Sequence, residues 1–178
     1  MPLSLHAAFV PSALQMLGTA KGLVEKAREW AGANDCAEAD LLGWRMIEDM
    51  APFAYQVKSV AVHSGNAIEG ALAGRFSPDF ADPPSSFDGL LEKLDAAVAT
   101  LEGVDEAALE AIADETVVFE VPNRFRAEFL GRNFLLSFSQ PNYYFHATAA
   151  YALMRAQGIP VGKVDFLGAM RVESMGRG

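Results

Sequence analysis

Apolar residues recur at helical spacing through Leu5, Phe9, Leu14, Leu17, Leu23, Val24 and Trp30, with Lys21, Glu25, Lys26, Arg28 and Glu29 between them. This predicts a first helix over residues 5–32, and Pro11 near its start predicts a kink or a restart. Gly32 is placed to stop that helix and Asp35 to cap the next turn, with a short helix over 38–43. A second long helix, 51–74, takes Pro52 in its first turn. Gly65 and Gly70 weaken it but let a neighbour approach closely. The run 74–86, dense in Pro, Ser and Asp, reads as a linker. Phe87, Leu90, Leu91, Leu94, Val98 and Leu101 then form the apolar stripe of a third helix over 86–103. Asp105 should cap a further helical turn or two, ending near residue 113.

The period changes after that. Residues 116–121 and 124–129 alternate around Pro122-Asn123, the mark of a β-hairpin. Two strands cannot build a core alone, so the hairpin must lean on helices. Residues 130–157 form the last long helix, ended by Gly158. Pro141 interrupts it, and the carbonyl freed by its missing donor, that of Ser137, should bend the helix there. The expected fold is all-α: a four-helix bundle with a small inserted hairpin. One domain covers 1–168, and 169–178 forms a tail. Within the domain, residues 162–168 should pack back on the helices, with Phe166 and Leu167 as anchors.

Composition narrows the function. The chain has 178 residues, 51% of them apolar, and 14 basic against 23 acidic side chains leave a formal charge of −9. That is too apolar for a disordered coil, and too acidic for a surface that binds nucleic acid. No apolar run reaches the ~18–20 residues of a membrane helix. The opening Met-Pro-Leu-Ser-Leu-His lacks the basic start and apolar stretch of a signal peptide. The single cysteine, Cys36, has no partner within the chain. The expectation is a cytoplasmic protein.

Little of the usual catalytic vocabulary is present. His6, His63 and His146 are the only histidines, and none stands four residues from another. There is no HExxH, no Glu-x-x-His, no phosphate loop and no Gly-x-Ser-x-Gly elbow. Cys36 lies at a helix start, where the dipole favours a thiolate, but no base can be assigned to it, and it reads as a small residue in a turn. The densest cluster is Ser137-Phe-Ser-Gln-Pro-Asn-Tyr-Tyr-Phe-His. Asn142 and His146 share a helix face, with Phe138, Phe145 and Tyr151 as aromatic walls nearby. On the second helix, Gln56 and His63 are seven apart, with Ser59 between them. Polar groups inside an aromatic helix face need partners, so this stripe implies a cavity, ordered water or a hydrogen-bond network.

The same run, from Leu135 through Asn142, His146 and Arg155 to Gly158, resembles an uncharacterised bacterial family of the DinB-like group. That family carries Leu-Pro-Asn-aromatic-aromatic-Phe-His, then Ala-Tyr-x-x-Leu-Arg, then Gly-Lys-x-Asp-aromatic-Leu-Gly, which here is Gly162-Lys-Val-Asp-Phe-Leu-Gly. The likeness extends upstream to residues 48–57 and to Val10-Pro11, nearly the whole chain. The resemblance implies a DinB/YfiT-like four-helix bundle, often dimeric. In the wider group three histidines hold a divalent metal, commonly nickel or zinc, and some members are thiol-dependent transferases or isomerases. Counting back from Arg155, His146 matches the second histidine of the last helix, and the first falls on Asn142. The helix-two ligand falls on Gln56, with His63 one helical register further along.

One imidazole with two amides is a poor zinc or nickel site, and a second from His63 still falls short of three ligands. The metal reading therefore retains only His146, and no cofactor is assigned. The leading expectation is a small-molecule binding module whose central pocket is lined by His146, Asn142, Gln56, His63, Tyr143 and Tyr151, with Tyr144 as a further wall. A metal- or thiol-dependent transferase or isomerase, with His146 as base, is the alternative. A non-catalytic dimeric interaction protein is the third reading. His146 should point into the bundle, near Gln56 or His63 and near Asn142. A homodimer is expected because Leu3, Leu23, Trp30 and Leu91 cannot all face one interior.

Overall fold

The computed structural model describes residues 3–174. Helix α1 (Leu5–Ala33) starts on Ser4, whose hydroxyl accepts from the Ala7 N–H at 3.1 Å. It stays helical through Pro11, so no restart occurs there. Gly32 lies inside this helix, which ends at Asn34. Asp35 takes φ +49, a left-handed conformation Asp tolerates better than most residues. It therefore turns the chain and does not cap it. The short α2 (Glu38–Gly43) is capped from Ala37, with no side-chain bond. Glu38 instead reaches across to accept the Phe87 N–H at the start of α5 (Phe87–Glu102).

The second long helical pass begins one residue after Pro52 and has three parts: α3 (Phe53–Ala61), a π-helical segment (Val62–Asn66) and α4 (Ala67–Leu72). Gly65, in the π segment, faces α5 so closely that an added Cβ would lie 2.8 Å from Ala97 Cα. A Cβ on Gly70 would come within 3.0 Å of Phe76. Both glycines thus allow the close approach their positions suggested.

The stretch read as a linker contains a strand. Gly74, at φ +70, turns the chain into β1 (Arg75–Phe76), which pairs in parallel with β2 (Thr116–Val121). The expected hairpin of β2 and β3 (Phe125–Leu130) thus becomes a three-stranded sheet of order β1-β2-β3. Asn123 supplies the φ of +60 in its turn. Before the hairpin, α6 (Glu106–Ala111) is capped by Asp105, whose carboxylate accepts from Ala108 at 2.7 Å.

The last long pass runs through α7 (Gly131–Asn133), a second π-helical segment (Phe134–Ser139) and α8 (Gln140–Ala156). At the end of the π segment the Gln140 N–H reaches back to Leu135 O, and the next residue, Pro141, has no N–H to give. The wide turn ends where the ladder would break in any case.

Helix α1 packs on α5 and α8, and α3 packs on the same two helices. Phe9, Leu17, Leu23, Phe53, Leu90, Leu94 and Phe134 fill the interior. Leu23 is therefore a core residue, and Trp30 and Leu91 pack partly buried against the core. Of the four residues offered for a partner surface, Leu3 alone is exposed. The motif at 162–168 does return to α1, as α9 (Lys163–Leu167), with Phe166, one of the two expected anchors, packed partly buried against the core. Gln15 and Thr19 donate to the carbonyls of Leu167 and Phe166 at 2.7 and 2.9 Å, and Lys26 pairs with Asp165 at 2.7 Å. The buried anchors are Ile159 and Val161, just upstream. The end of the expected tail, 175–178, lies outside the described residues.

Candidate functional site

Two histidines meet where α3 and its π segment lie against α8. His63 comes from the π segment and His146 from the middle of α8, and their rings are stacked, 5.6 Å between centroids and 12° from parallel. The Gln56 side chain, one and two-thirds turns before the π segment, joins them. Its Oε1 lies 2.7 Å from His146 Nδ1, and its Nε2 donates to Ala51 O at 3.0 Å. Aromatic edges close the sides. Tyr55 and Phe145 meet His146 at 6.3 and 5.2 Å, and Phe76 and Phe138 meet His63 at 5.9 and 5.7 Å.

Burial decides the charge state. His63 is 8% exposed and His146 half-buried. Desolvation, and then the neighbouring His146, lower the pKa of His63 to about 4, and desolvation lowers His146 to about 4 as well. Both rings are neutral at pH 7. His63 Nδ1 is buried with no hydrogen-bond partner among the described residues, an arrangement that costs about 1–3 kcal/mol.

The other expected site residues are placed elsewhere. Asn142 shares the His146 face but turns its amide to its own helix, donating to Phe138 O at 2.7 Å. Tyr143 is fully buried with its ring on Phe9 of α1, and Tyr151 packs on Phe166 of α9. Neither ring is among the aromatic neighbours of the two histidines. Tyr144 is exposed. Cys36 is half-buried and lines a concavity of about 410 Å³ with Arg28, Glu38 and Asp88, away from any histidine.

Tyr55 and Phe76 were not expected here. Tyr55 adjoins Gln56 in sequence, but Phe76 arrives only through the short strand β1. Neither histidine lines any of five concavities of about 280–450 Å³ on the described surface.

The donor set does not fit a catalytic metal. Among the described residues, no three His, Cys, Asp or Glu side chains stand together as a metal would need. Two imidazoles beside a carboxamide already committed to His146 and Ala51 leave the third ligand missing. What the arrangement can do is donate and accept hydrogen bonds without net charge, between aromatic walls.

Comparison with known proteins finds no match among curated proteins. Among solved structures, the chain is similar to a DinB family member protein from Shewanella denitrificans, with a TM-score of 0.81, 26% sequence identity and 96% of each chain covered. The family described as a domain of unknown function, DUF1993, matches residues 5–167. On that match, from the first turn of α1 to the last residue of α9, the chain belongs to the DUF1993 family and has a DinB-like fold.

Proposed function

We propose that this protein is a DinB-type four-helix bundle that binds a small, uncharged molecule at the His63–His146–Gln56 cluster, without a resident metal. The observation that carries the reading is the partnerless His63 Nδ1, buried beside a second neutral imidazole. A buried polar atom left unpaired is costly in a purely structural network, and a bound molecule would pair it. The half-buried His146 gives the site a side open to solvent. Aromatic edges on both rings suit a ligand with a flat or apolar body.

The test is nuclear magnetic resonance of the histidine rings during titration with a panel of neutral and anionic small molecules. A neutral compound should shift both the His63 and His146 signals, and His146→Ala should abolish its binding. A panel without such a compound overturns the reading. Zinc and nickel belong in the same titration. One tightly held equivalent, lost in His146→Ala, would restore the metal-dependent transferase or isomerase in its place.

A second reading, self-association, has its own observation. Met46, Met50, Pro141, Tyr144, Phe145 and Ala152 line a concavity of about 450 Å³ that contains no charged side chain. Met46, Tyr144 and Phe145 are all exposed there. On a chain carrying −9, an uncharged apolar face is where two copies can meet without setting like charges against each other. The homodimer proposal therefore moves from Leu23, Trp30 and Leu91 to this face.

A further inference from the structure

The carboxamide of Gln56 has one orientation that satisfies both of its neighbours. Its Nε2 donates to Ala51 O at 3.0 Å, and its Oε1 sits 2.7 Å from His146 Nδ1. Turning the amide by half a rotation would set its oxygen against the Ala51 carbonyl, two acceptors at contact distance. Gln56 is 2% exposed, so water does not compete for either bond. Since Oε1 can only accept, the single hydrogen of the neutral His146 ring must be on Nδ1. Its Nε2 is then a bare lone pair, and it makes no hydrogen bond among the described residues. A buried partner at one ring nitrogen commonly fixes the role of the other.

We propose that Gln56 is a positioning residue that holds His146 in the Nδ1–H tautomer, and that the unpaired Nε2 of this half-buried ring accepts a hydrogen bond from a neutral hydroxyl group on an aromatic ligand. An acceptor selects a donor, which favours an O–H over a carboxylate or a phosphate. The neutral imidazole pair offers no charge to hold an anion, and the chain's own −9 repels one. Tyr55 and Phe145, edge-on to His146, and Phe138, edge-on to His63, favour an aromatic body. The ligand class rests on the binding reading above, whereas the tautomer is a property of the free protein and stands or falls without it.

The experiment uses the full chain with nitrogen-15 in its histidines, and long-range proton–nitrogen spectra in neutral buffer. Free protein should show a pyrrole-like Nδ1 and a pyridine-like Nε2 for His146, the reverse of the tautomer that histidine prefers in water. Gln56→Leu should lose that pattern. Asn142→Ala, which leaves both bonds of the Gln56 amide in place, should keep it; a merely structural role for Gln56 would leave the tautomer unchanged in Gln56→Leu as well. If Gln56→Leu fails to fold, the wild-type spectrum decides alone: an Nε2–H ring overturns the assignment. Phenol and anisole then test the ligand class. Phenol should shift the His146 Nε2 signal at concentrations where anisole, lacking the hydroxyl, does not. Equal responses, or none, overturn the hydroxyl-donor class while the tautomer stands. Binding only of anionic compounds would overturn the neutral-ligand reading itself.

Discussion

His63 and His146 tie stability to pH in a direction fixed by their burial. Each has a folded pKa near 4 against an ordinary value of 6.5. Between those values the unfolded chain binds protons that the folded chain refuses, so acid favours unfolding. Their contribution is intact above pH 6.5 and is lost as pH falls toward 4, at up to about 1.4 kcal/mol per pH unit for each ring. Urea unfolding between pH 7 and 4.5 should show that slope, and His63→Phe should make it shallower while stabilising the protein in acid. An unchanged slope would mean that His63 is not the neutral ring described.

A buried ion, Lys58, shows what a sequence pattern hides. Lys58 is 2% exposed, and its ammonium is held by the carbonyls of Asp79 and Ala81 at 2.9 and 2.5 Å and the Asp79 carboxylate at 3.2 Å. Burial alone would raise the Asp79 pKa. The Ala81 N–H, Lys58 and Lys93 outweigh that and hold it below the ordinary carboxylate value. Removing the carboxylate leaves a buried cation without its counterion, a change that costs about 3–5 kcal/mol in comparable pairs. Asp79→Ala should therefore destabilise more than Lys58→Met, which deletes the buried charge itself. The reverse order in chemical denaturation would show that the linker is held by something other than this pair.

The long helices were readable because their apolar stripes are local: α5 and the caps Ser86 and Asp105 stand within a residue of expectation. The two-residue strand β1 was not, because Arg75-Phe76 carries no period of its own and becomes a strand only when β2 lies beside it. The π-helical segments have no sequence period of their own either, and one of them sets a glycine, Gly65, against a neighbouring helix. Gly65→Ala would set a methyl 2.8 Å from Ala97 Cα and Cβ, overpacking that costs about 1–3 kcal/mol. The measured loss should shrink when Ala97→Gly is added, because the second change opens the contact. Simple additivity would place the strain elsewhere.

For the whole molecule the uncharged face over α8 sets the expectation. A stable pair needs about 1,200–2,000 Å² of total buried surface, so the 450 Å³ concavity has to be the centre of a wider contact. Sedimentation at micromolar concentration should give twice the monomer mass of 19.1 kDa, and Phe145→Glu, which adds a charge to that face, should halve it. A monomer at every concentration would remove the dimer. A dimer untouched by Phe145→Glu would move it to another surface. Phe145 also stands edge-on to His146, so the same substitution should disturb the histidine signals, and the mass alone reads the dimer.

The sequence by itself determined the helical class, the boundaries of α5, the start of α6, the hairpin partners and the family, because each is written in residues close together along the chain. It also placed Gln56, His63 and His146 as candidates, since spacing of seven and the motif around His146 are one-dimensional facts. Only the tertiary structure decided which candidates meet. Helical spacing says that two residues share a face but not which neighbour that face touches, so Asn142 turned to its own backbone, Tyr143 to α1 and Tyr151 to α9. The charge of the two imidazoles was decided there too. Neutrality at pH 7 follows from desolvation between packed helices, a property of the assembled interior that no single segment possesses.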